Sequence, residues 1–279
     1  MSIDRINIMK IYFLRMNMKN NNFYIKISQI RKKAKYFHSN IYKSSFSQIL
    51  NIVETEETVA ILVQDRDVKR GYFATGNLDE LVSIIKKWPY GTGIEFLSKA
   101  ENCDIKEYFE AAGFVQYAVY IKTENKKLPD TLKHIDTDRF RYNECEKFIS
   151  DISIEDSKEI HNLLYKAFNP LTSHIESENE LQDRIMNGNI VIHKENGKIV
   201  TILTFNVKPK AIYMEHMLNE GKSEYMHMLY YAVLKNNMNK GVLTSDTWIR
   251  KTNVRAFNFV RRYGLFPGSL KNFVFCKRK

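Results

Sequence analysis

The sequence is poor in cysteine, proline and glycine, and it has no long hydrophobic run. Its 279 residues include 3 cysteines, 5 prolines and 11 glycines. Cys103, Cys145 and Cys276 are too few and too far apart for a disulfide framework or a zinc site. An odd cysteine count suits a reducing compartment, so we expect a cytoplasmic protein. No apolar stretch approaches the roughly 18–20 residues of a membrane span, so we expect no membrane partner.

Acidic residues are scarce at both ends of the chain. Residues 1–50 hold ten Lys/Arg and one acid, and residues 249–279 hold nine Lys/Arg and no acid, in a chain of net charge +11. This excess of positive charge excludes an acidic solvating protein and favours a polyanionic partner. Three interpretations stay open: solvated basic ends, a phosphate site near the C-terminus, and a nucleic acid surface. Lys10 and Arg15 interrupt the apolar part of the start, which makes it a poor signal peptide.

The remaining composition predicts two folded domains. Hydrophobic residues make up 44% of the chain and charged residues 27%, which is enough apolar material for real cores. The polar stretch 123–143, which contains Pro129, has little periodicity and is interpreted as a linker. We therefore expect a first domain at 1–122, with a basic N-terminal extension, and a second domain at 144–279.

Hydrophobic periodicity and turn residues predict the elements of each half. The first half predicts a helix (27–50), a hairpin (57–64 and 70–75), a helix capped by Asn77 (78–88), a strand (94–98), a helix (104–112) and a strand (115–122). The second half predicts a strand (146–153), two helices (154–168 and 177–186), a hairpin (190–193 and 198–206), a strand (211–218), a helix (223–240), a strand (242–249), a helix (253–263) and a strand (273–276).

The two halves repeat one order of elements. Each runs hairpin, strand, helix, strand, helix, glycine, apolar residue and strand, and the glycines of Gly113-Phe114 and Gly264-Leu265 stand 151 residues apart. This order predicts a duplicated α/β (α+β) domain, each copy a mixed, mostly antiparallel sheet flanked by helices.

The last helix carries a family resemblance. Asn253, Ala256, Phe259, Gly264 and Leu265 follow the pattern Asn-x-x-Ala-x-x-Phe-Tyr-x-x-x-Gly-Phe, which resembles the last helix of the GNAT N-acetyltransferase superfamily. The strand at 211–218 and the helix at 223–240 stand where that family has its central strand and its cofactor-binding helix. The chain thus resembles a tandem GNAT protein, with the C-terminal half the better match and the N-terminal half degenerate.

The resemblance implies acetyl-CoA as co-substrate and direct transfer of its acetyl group to an amine. Backbone groups of Met217 and Leu218 would pair with the pantetheine arm, and Asn253 would hydrogen-bond the cofactor, unless it is only a helix N-cap. The expected diphosphate loop comprises Gly221, Lys222, Ser223, Glu224, Tyr225 and Met226.

Two departures from the family pattern stand out. The loop keeps one glycine where the family uses several, and Tyr225 stands near an expected glycine. Val260 stands where the family often has a tyrosine that protonates the leaving thiolate. Tyr263, three residues on, becomes the first candidate acid, and Tyr225 and Tyr230 on the neighbouring helix are the alternatives. In the first half, Thr75-Gly76-Asn77 leads almost directly from strand to helix, so we expect no acetyl-CoA there.

An amine must lose a proton before it attacks a thioester, so the reaction needs a general base. The resemblance points to Glu215 or His216 on the central strand. Strict alternation puts them on opposite faces, with His216 beside Met214, and Glu215 is preferred. Either one is alternatively a satisfied polar residue of the strand. The histidines of the chain lack metal-ligand spacing, so no metal site is predicted.

Two functions are consistent with these features. The first is an acyl-CoA-dependent N-acyltransferase, in particular an N-acetyltransferase, acting on an unidentified small-molecule or peptide amine, with the first half completing the substrate cleft or mediating pairing. The second is a catalytically silent GNAT-like binding module whose basic ends contact nucleic acid or another acidic partner. Nucleic acid is less favoured, and a homodimer is an open alternative.

Overall fold

The computed structural model of the chain describes residues 23–42, 46, 48–137 and 142–279. The basic stretch before residue 23 lies outside them. The chain divides into two compact units. The first unit takes the described residues up to Tyr117 together with Phe273–Lys279, and the second takes Ala118–Asn272. No helix in the described part of the chain is long and apolar enough to cross a membrane.

The first unit builds its sheet from a hairpin and one parallel crossover. Its elements are α1 (23–33), β1 (His38–Ser39), β2 (Ile49–Glu54), β3 (Thr58–Asp65), β4 (Val68–Thr75), α2 (Leu78–Ile85), β5 (Gly93–Ser98), α3 (Lys106–Ala111) and the start of β6 (Phe114–Asn125). Strands β2, β3 and β4 are antiparallel, and β4 pairs with β5 in parallel. Asn77 caps α2 by accepting the amide of Glu80, as the sequence predicts.

The second unit repeats this order and adds helices before it. Its elements are the end of β6, α4 (Leu128–Lys133), a 3-10 segment (Tyr142–Phe148), a 3-10 turn (Ile154–Asp156), α5 (Ser157–Ala167), α6 (Pro170–Ser173), α7 (Glu178–Met186), β7 (Ile190–Glu195), β8 (Lys198–Lys208), β9 (Ala211–Asn219), α8 (Ser223–Met238), β10 (Thr244–Arg250), α9 (Val254–Arg261) and the start of β11 (Phe266–Lys277). Strands β7, β8 and β9 are antiparallel, β9 and β10 are parallel, and β10 and β6 are antiparallel.

Two apolar layers cover the sheet of the second unit. Helix α8 is buried almost throughout and packs with Leu203, Phe205 and Met214 on one face. Helices α5 and α7 pack on the other face, around Ile192 and Ile202. Alternation along β8 separates Ile202 from Leu203, which is why one strand serves both cores. The predicted α/β class with a mostly antiparallel sheet is confirmed.

The last strand of each half is divided between the two units. Residues 118–125 of β6 lie in the second unit, where β6 pairs with β10. Residues 273–277 of β11 lie in the first unit, where β11 follows β5 in the strand order and Lys277 exchanges backbone hydrogen bonds with Gly91 and Thr92. The structure differs here from the expected linker at 123–143, because this stretch holds the end of β6 and α4, whose Leu128 and Leu132 are buried.

Two predicted elements also differ. The helix expected at 27–50 ends at residue 33, because His38–Ser39 pairs with β4 and Asn40 hydrogen-bonds the backbone of Gly71 and Phe73. The strand expected at 146–153 does not form: its first three residues end the 3-10 segment, and the rest is irregular apart from one bridge from Ser150 to Ile192. Tyr142 and Cys145, three residues apart, are both buried in the core, a spacing that suits a 3-10 turn.

Candidate functional site

Strands β9 and β10 separate part-way along their length. They pair in parallel from Ala211 to Met214, opposite Thr244–Thr247, and no later pair forms among the described residues. Both strands continue on their outer partners, β9 on β8 as far as Asn219 and β10 on β6 as far as Arg250. A notch therefore opens in the sheet beyond Met214, and we call it the β9–β10 notch.

The inner edge of β9 leaves its backbone groups facing this notch. Thr247 marks the fork, because its hydroxyl donates to the carbonyl oxygen of Met214 at 2.8 Å. Beyond that point, the N–H and C=O groups of β9 that would pair with β10 are available to another extended chain. Met217 and Leu218, predicted as the backbone partners of pantetheine, lie in this segment.

A β-bulge lies beside the notch. The register of β8 and β9 shifts between Leu203 and Phe205. Thr204 therefore faces two residues of β9, Glu215 and His216. A bulge of this kind places an extra residue on one strand and interrupts the alternation of side chains.

The bulge brings Glu215 and His216 to the same face of the sheet. Met214 packs with α8, whereas Glu215 and His216 both contact residues on the α5/α7 side. After the bulge, Met217 packs again with the α8 core and Leu218 with the α5/α7 core. The predicted placement of His216 on the face of Met214 was wrong. The bulge adds one residue to β9 at this point, so the alternation of side chains is interrupted between Met214 and His216.

A buried guanidinium holds two carboxylates at this face. The Arg184 Nη2 atom, from α7, contacts Glu215 and lies 2.5 Å from Glu176 Oε1. Arg184 Nη1 donates to the carbonyl oxygen of Phe205 at 2.9 Å, and the Asn206 amide donates to the second oxygen of Glu215. The exposed side-chain fractions of Arg184, Glu176 and Glu215 are 13%, 8% and 18%. We call Glu176, Arg184, Asn206, Glu215 and His216 the Arg184 cluster.

The environment shifts the proton affinities of Glu215 and His216 in opposite directions. Burial raises the pKa of Glu215 above its ordinary value, although the Arg184 charge acts against the shift, and the Glu176 charge adds to it. Burial lowers the pKa of His216. The His216 Nε2–H donates to the Ser173 carbonyl at 2.7 Å, so this nitrogen carries the proton of the neutral ring. A carboxylate of raised pKa next to a notch has the properties of a general base.

The N-terminus of α8 is the candidate diphosphate site. Lys222 is its N-cap, and the first turn contains Ser223, Glu224, Tyr225 and Met226. The first amides of an α-helix lack intrahelical partners and attract anions. Lys222 supplies a cation here, whereas Glu224 opposes an anion.

Tyr225 packs against the one glycine of this loop. A Cβ placed on Gly221 would lie 2.8 Å from the Tyr225 ring. The Tyr225 hydroxyl donates to Glu195 in the β7–β8 hairpin, and the Gly221 amide donates to the Asn219 side chain at 3.3 Å. The loop is therefore narrower than the glycine-rich loop that the family resemblance implies. The donors that remain for a phosphate are the backbone amides at the start of α8.

Tyr263, the predicted acid, lies inside the core. It is fully buried, and its hydroxyl lies 2.9 Å from the Tyr142 hydroxyl and 2.8 Å from His227 Nδ1. Burial raises its pKa well above the ordinary tyrosine value. The Tyr263 side chain therefore joins the 3-10 segment, α8 and α9 inside the core.

Asn253 caps α9. Its side-chain oxygen accepts the amide of Ala256 at 3.0 Å, which is the alternative that the sequence left open. Five cations on and next to α9 are all exposed: Arg250, Lys251, Arg255, Arg261 and Arg262. Lys271 and Lys277 are buried, so part of the C-terminal positive charge does not reach the surface.

Comparisons with known proteins bear on the fold. No family model and no curated protein matches the chain. A tandem GNAT protein from the clavulanic acid biosynthesis pathway matches with a TM-score of 0.52 at 8% identity, covering 93% of this chain and 94% of that one. The chain has the fold of a tandem GNAT protein.

Two further solved structures are similar to the chain. A GCN5-related N-acetyltransferase from Sphaerobacter thermophilus matches with a TM-score of 0.53 at 11% identity, over 78% of this chain and 76% of that one. A functionally unknown conserved protein from Staphylococcus epidermidis matches with a TM-score of 0.50 at 12% identity, over 81% and 93%. One fold can host different functions, so the function of this chain must be argued from its own site.

The first GNAT-like copy has no room for a phosphate loop at the corresponding place. Strand β4 ends at Thr75 and α2 begins at Leu78. A Cβ on Gly76 would lie 2.7 Å from the side chain of Ala34, so the end of α1 occupies the approach. This geometry supports the expectation that only the second copy is a candidate for acetyl-CoA.

Sequence reasoning missed Arg184 and Glu176. One signal was available, because Arg184 follows the buried Leu181 by three residues on α7 and therefore shares its inward face. A charged residue on the apolar face of a short helix indicates a buried ion pair. Glu176 lies in the turn before α7 and carried no such signal.

Proposed function

We propose that the second unit is an acyl-CoA-dependent N-acyltransferase, in particular an N-acetyltransferase, with Glu215 as its general base. The observation that supports this most is the position of Glu215, which directly follows the last β9–β10 pair and is the first residue past the fork. A base at this point reaches the site where an extended thioester arm would end. The GNAT fold of the N-acetyltransferase from Sphaerobacter thermophilus supports the reaction class.

Glu215 keeps capacity to accept a proton despite its two partners. Each of its oxygens receives one donor, Arg184 on one and Asn206 on the other, and a carboxylate oxygen has two lone pairs. Its raised pKa makes it a stronger base than a solvated carboxylate. In the proposed reaction Glu215 takes a proton from the substrate ammonium, directly or through one water, and the neutral amine then forms the new amide bond.

The backbone beyond the fork and the start of α8 would hold the co-substrate. Acetyl-CoA would supply the thioester, whose C–S bond breaks as the amide forms, and the leaving thiolate would take up the second proton that the amine nitrogen loses. The β9 edge at Met217 and Leu218 offers backbone hydrogen bonds to the pantetheine amides. Ser223 and Glu224 offer helix N-terminal amides to the diphosphate, with Lys222 as the cation. These groups fit the co-substrate at the level of backbone donors, while Tyr225 narrows the loop.

The rival function is a catalytically silent GNAT-like binding module with basic ends that contact an acidic partner. Two observations favour it. In the Arg184 cluster the Glu215 carboxylate has hydrogen-bond donors on both oxygens, as a purely structural residue would. Tyr225 also covers Gly221, where a diphosphate loop would be open. A silent module would bind no acetyl-CoA, which separates the two functions.

The base is tested by the pH dependence of acyl transfer with Glu215→Gln. The full chain is incubated with acetyl-CoA and a panel of small-molecule and peptide amines, and thiol release is measured. We expect Glu215→Gln to lower kcat about 10²–10⁴-fold, the usual value of general base catalysis. It should also remove the acid limb of the pH–rate profile while leaving KM for acetyl-CoA nearly unchanged. Equal activity of the variant and the parent would reject Glu215 as the base.

The diphosphate site is tested with a matched pair, Tyr225→Asp and Tyr225→Asn. Both variants remove the ring, and they differ only in one negative charge in the first turn of α8. If the α8 N-terminus holds the diphosphate, Tyr225→Asp should bind acetyl-CoA at least about tenfold more weakly than Tyr225→Asn, because like charges in the first turn repel. Equal affinities would place the phosphates elsewhere.

A further inference from the structure

One carboxylate oxygen of the Arg184 cluster is buried without a partner. Glu176 exposes 8% of its side chain, and its Oε1 contacts Arg184. Its Oε2 has no hydrogen-bond partner among the described residues. A buried, unpaired carboxylate oxygen is costly, so its retention calls for a ligand or a charge that the protein atoms do not supply.

A histidine nitrogen points at the same place. His216 Nε2 donates its proton to the Ser173 carbonyl, which leaves Nδ1 with a lone pair. Nδ1 lies 3.2 Å from the Thr204 hydroxyl and 3.5 Å from Glu176 Oε2. A backbone carbonyl on the far nitrogen is the usual partner that orients a metal-ligating histidine.

The separation of these two atoms matches the edge of a zinc site. With Zn–N and Zn–O bonds near 2.1 Å and a tetrahedral angle, two ligand atoms lie about 3.4 Å apart. The distance from Glu176 Oε2 to His216 Nδ1 is 3.5 Å, which is long for a hydrogen bond. A donor atom of Glu215 completes the set, since one donor from each of the three residues lies within 4.8 Å of the others.

Arg184 is the obvious objection, because it already brings a positive charge. Its Nη2 contacts Glu176 Oε1 and Glu215 Oε2, so Glu176 Oε2 and Glu215 Oε1 point elsewhere. Glu215 Oε1 accepts a hydrogen bond from Asn206, and on binding the metal ion it would either lose that bond or keep it through its second lone pair. Two carboxylates and one guanidinium carry a formal charge of −1. A divalent cation changes this charge to +1, so the ion enters a site that is negative before it binds.

We propose that Glu176 Oε2, His216 Nδ1 and a Glu215 oxygen bind one Zn²⁺ ion, with water as the fourth ligand. The bulge makes the site, since it brings Glu215 and His216 to one face. The proposal departs from the sequence analysis, which predicted no metal site because the histidines lack metal-ligand spacing; the three ligands lie in two separate segments and leave no such pattern. The metal would occupy Glu215 and so silence it as a base; this consequence rests on the proposed acyltransferase function, whereas binding itself does not.

The test is calorimetric titration of ZnCl₂ into metal-stripped full-length protein, parent and Glu176→Gln. The glutamine can keep the Arg184 contact through its oxygen and donate its amide to His216 Nδ1, so this variant should fold and lose only the metal. We expect one Zn²⁺ per parent chain and at least about 100-fold weaker binding to Glu176→Gln. Glu178 is an exposed acid at the start of α7, two residues after Glu176, and Glu178→Gln should bind Zn²⁺ as the parent does.

Thermal melting with and without Zn²⁺ keeps the test decisive. Zinc should raise the melting temperature of the parent and of Glu178→Gln but not of Glu176→Gln. If Glu176→Gln does not fold, Glu215→Gln serves as the second ligand variant with the same expected loss. Absence of binding to the parent, or equal binding to parent and Glu176→Gln, which would indicate adventitious surface histidines, overturns the proposal. Neither outcome depends on acyl transfer.

Discussion

Replacing Arg184 by methionine should strongly destabilise the second unit. The substitution keeps an apolar stem of similar length but leaves Glu176 and Glu215 as two buried carboxylates without their shared cation. Removing one partner of a buried ion pair costs about 3–5 kcal/mol, because the remaining charge stays desolvated. For a unit of this size, each kcal/mol lowers the melting temperature by about 2–4 °C, so we expect a fall of about 6–20 °C.

The assay is thermal and urea unfolding of the full chain, with Arg255→Met as the matched control. Arg255 is exposed on α9, so its loss should change the unfolding free energy by less than about 0.5 kcal/mol. The double variant Arg184→Met/Glu215→Gln should recover part of the loss, because it removes one of the two unpaired carboxylates. A cost below about 1 kcal/mol for Arg184→Met would refute the buried network, since a solvated pair contributes no more than that.

The remaining predictions concern the packing of single residues and the titration of Glu215. Lys277→Met should cost about 3 kcal/mol in urea unfolding, because the buried ammonium donates to the carbonyls of Ile85, Lys86 and Ala112 at 2.6–3.1 Å; the exposed Lys279→Met is the control. Gly71→Ala should destabilise the first unit by about 1–3 kcal/mol, because its Cβ would lie 2.0 Å from the Trp88 ring; circular dichroism melting measures this. Asn253→Ala should cost about 1 kcal/mol through loss of the α9 cap, and an unchanged melting temperature would contradict the cap. The raised pKa of Glu215 makes the folded state bind its proton more tightly than the unfolded state, so its stabilising contribution is present at acid pH and is lost as pH rises from 4.5 through the raised value. Parallel unfolding of Glu215→Gln across this range should lack that component.

Much of the fold follows from local signals in the sequence. Asn196-Gly197 predicts the β7–β8 turn, and both residues adopt the positive φ that such a turn needs. Gly113 and Gly264 predict the ends of α3 and α9, and both have positive φ. These features depend only on near neighbours, so periodicity and turn chemistry were sufficient to predict them.

The division of the final strands β6 and β11 between the two units was not predictable in this way. The two halves carry the same order of elements, so β6 and β11 are equivalent in pattern, and local sequence does not state which sheet each one joins. Residues 123–143 look polar because α4 buries only one stripe, at Leu128 and Leu132. Pairing between distant segments decided the boundary.

The candidate site was predictable only in part. Glu215 was preferred from resemblance, whereas its contact with Arg184 and the arrival of His216 on the same face depend on one extra residue in β9 opposite Thr204. A shift of one residue moves side chains to the other face, so strict alternation necessarily misplaced His216. Tyr263 was chosen by its distance from Val260, without regard to its burial in the core.

Isothermal titration of acetyl-CoA into the full-length protein tests the central claim most directly. The account predicts saturable binding of one acetyl-CoA per chain, in the β9–β10 notch of the second unit, weaker in Tyr225→Asp than in Tyr225→Asn. No detectable binding at millimolar acetyl-CoA would contradict the acyltransferase and leave the tandem GNAT fold as a binding module.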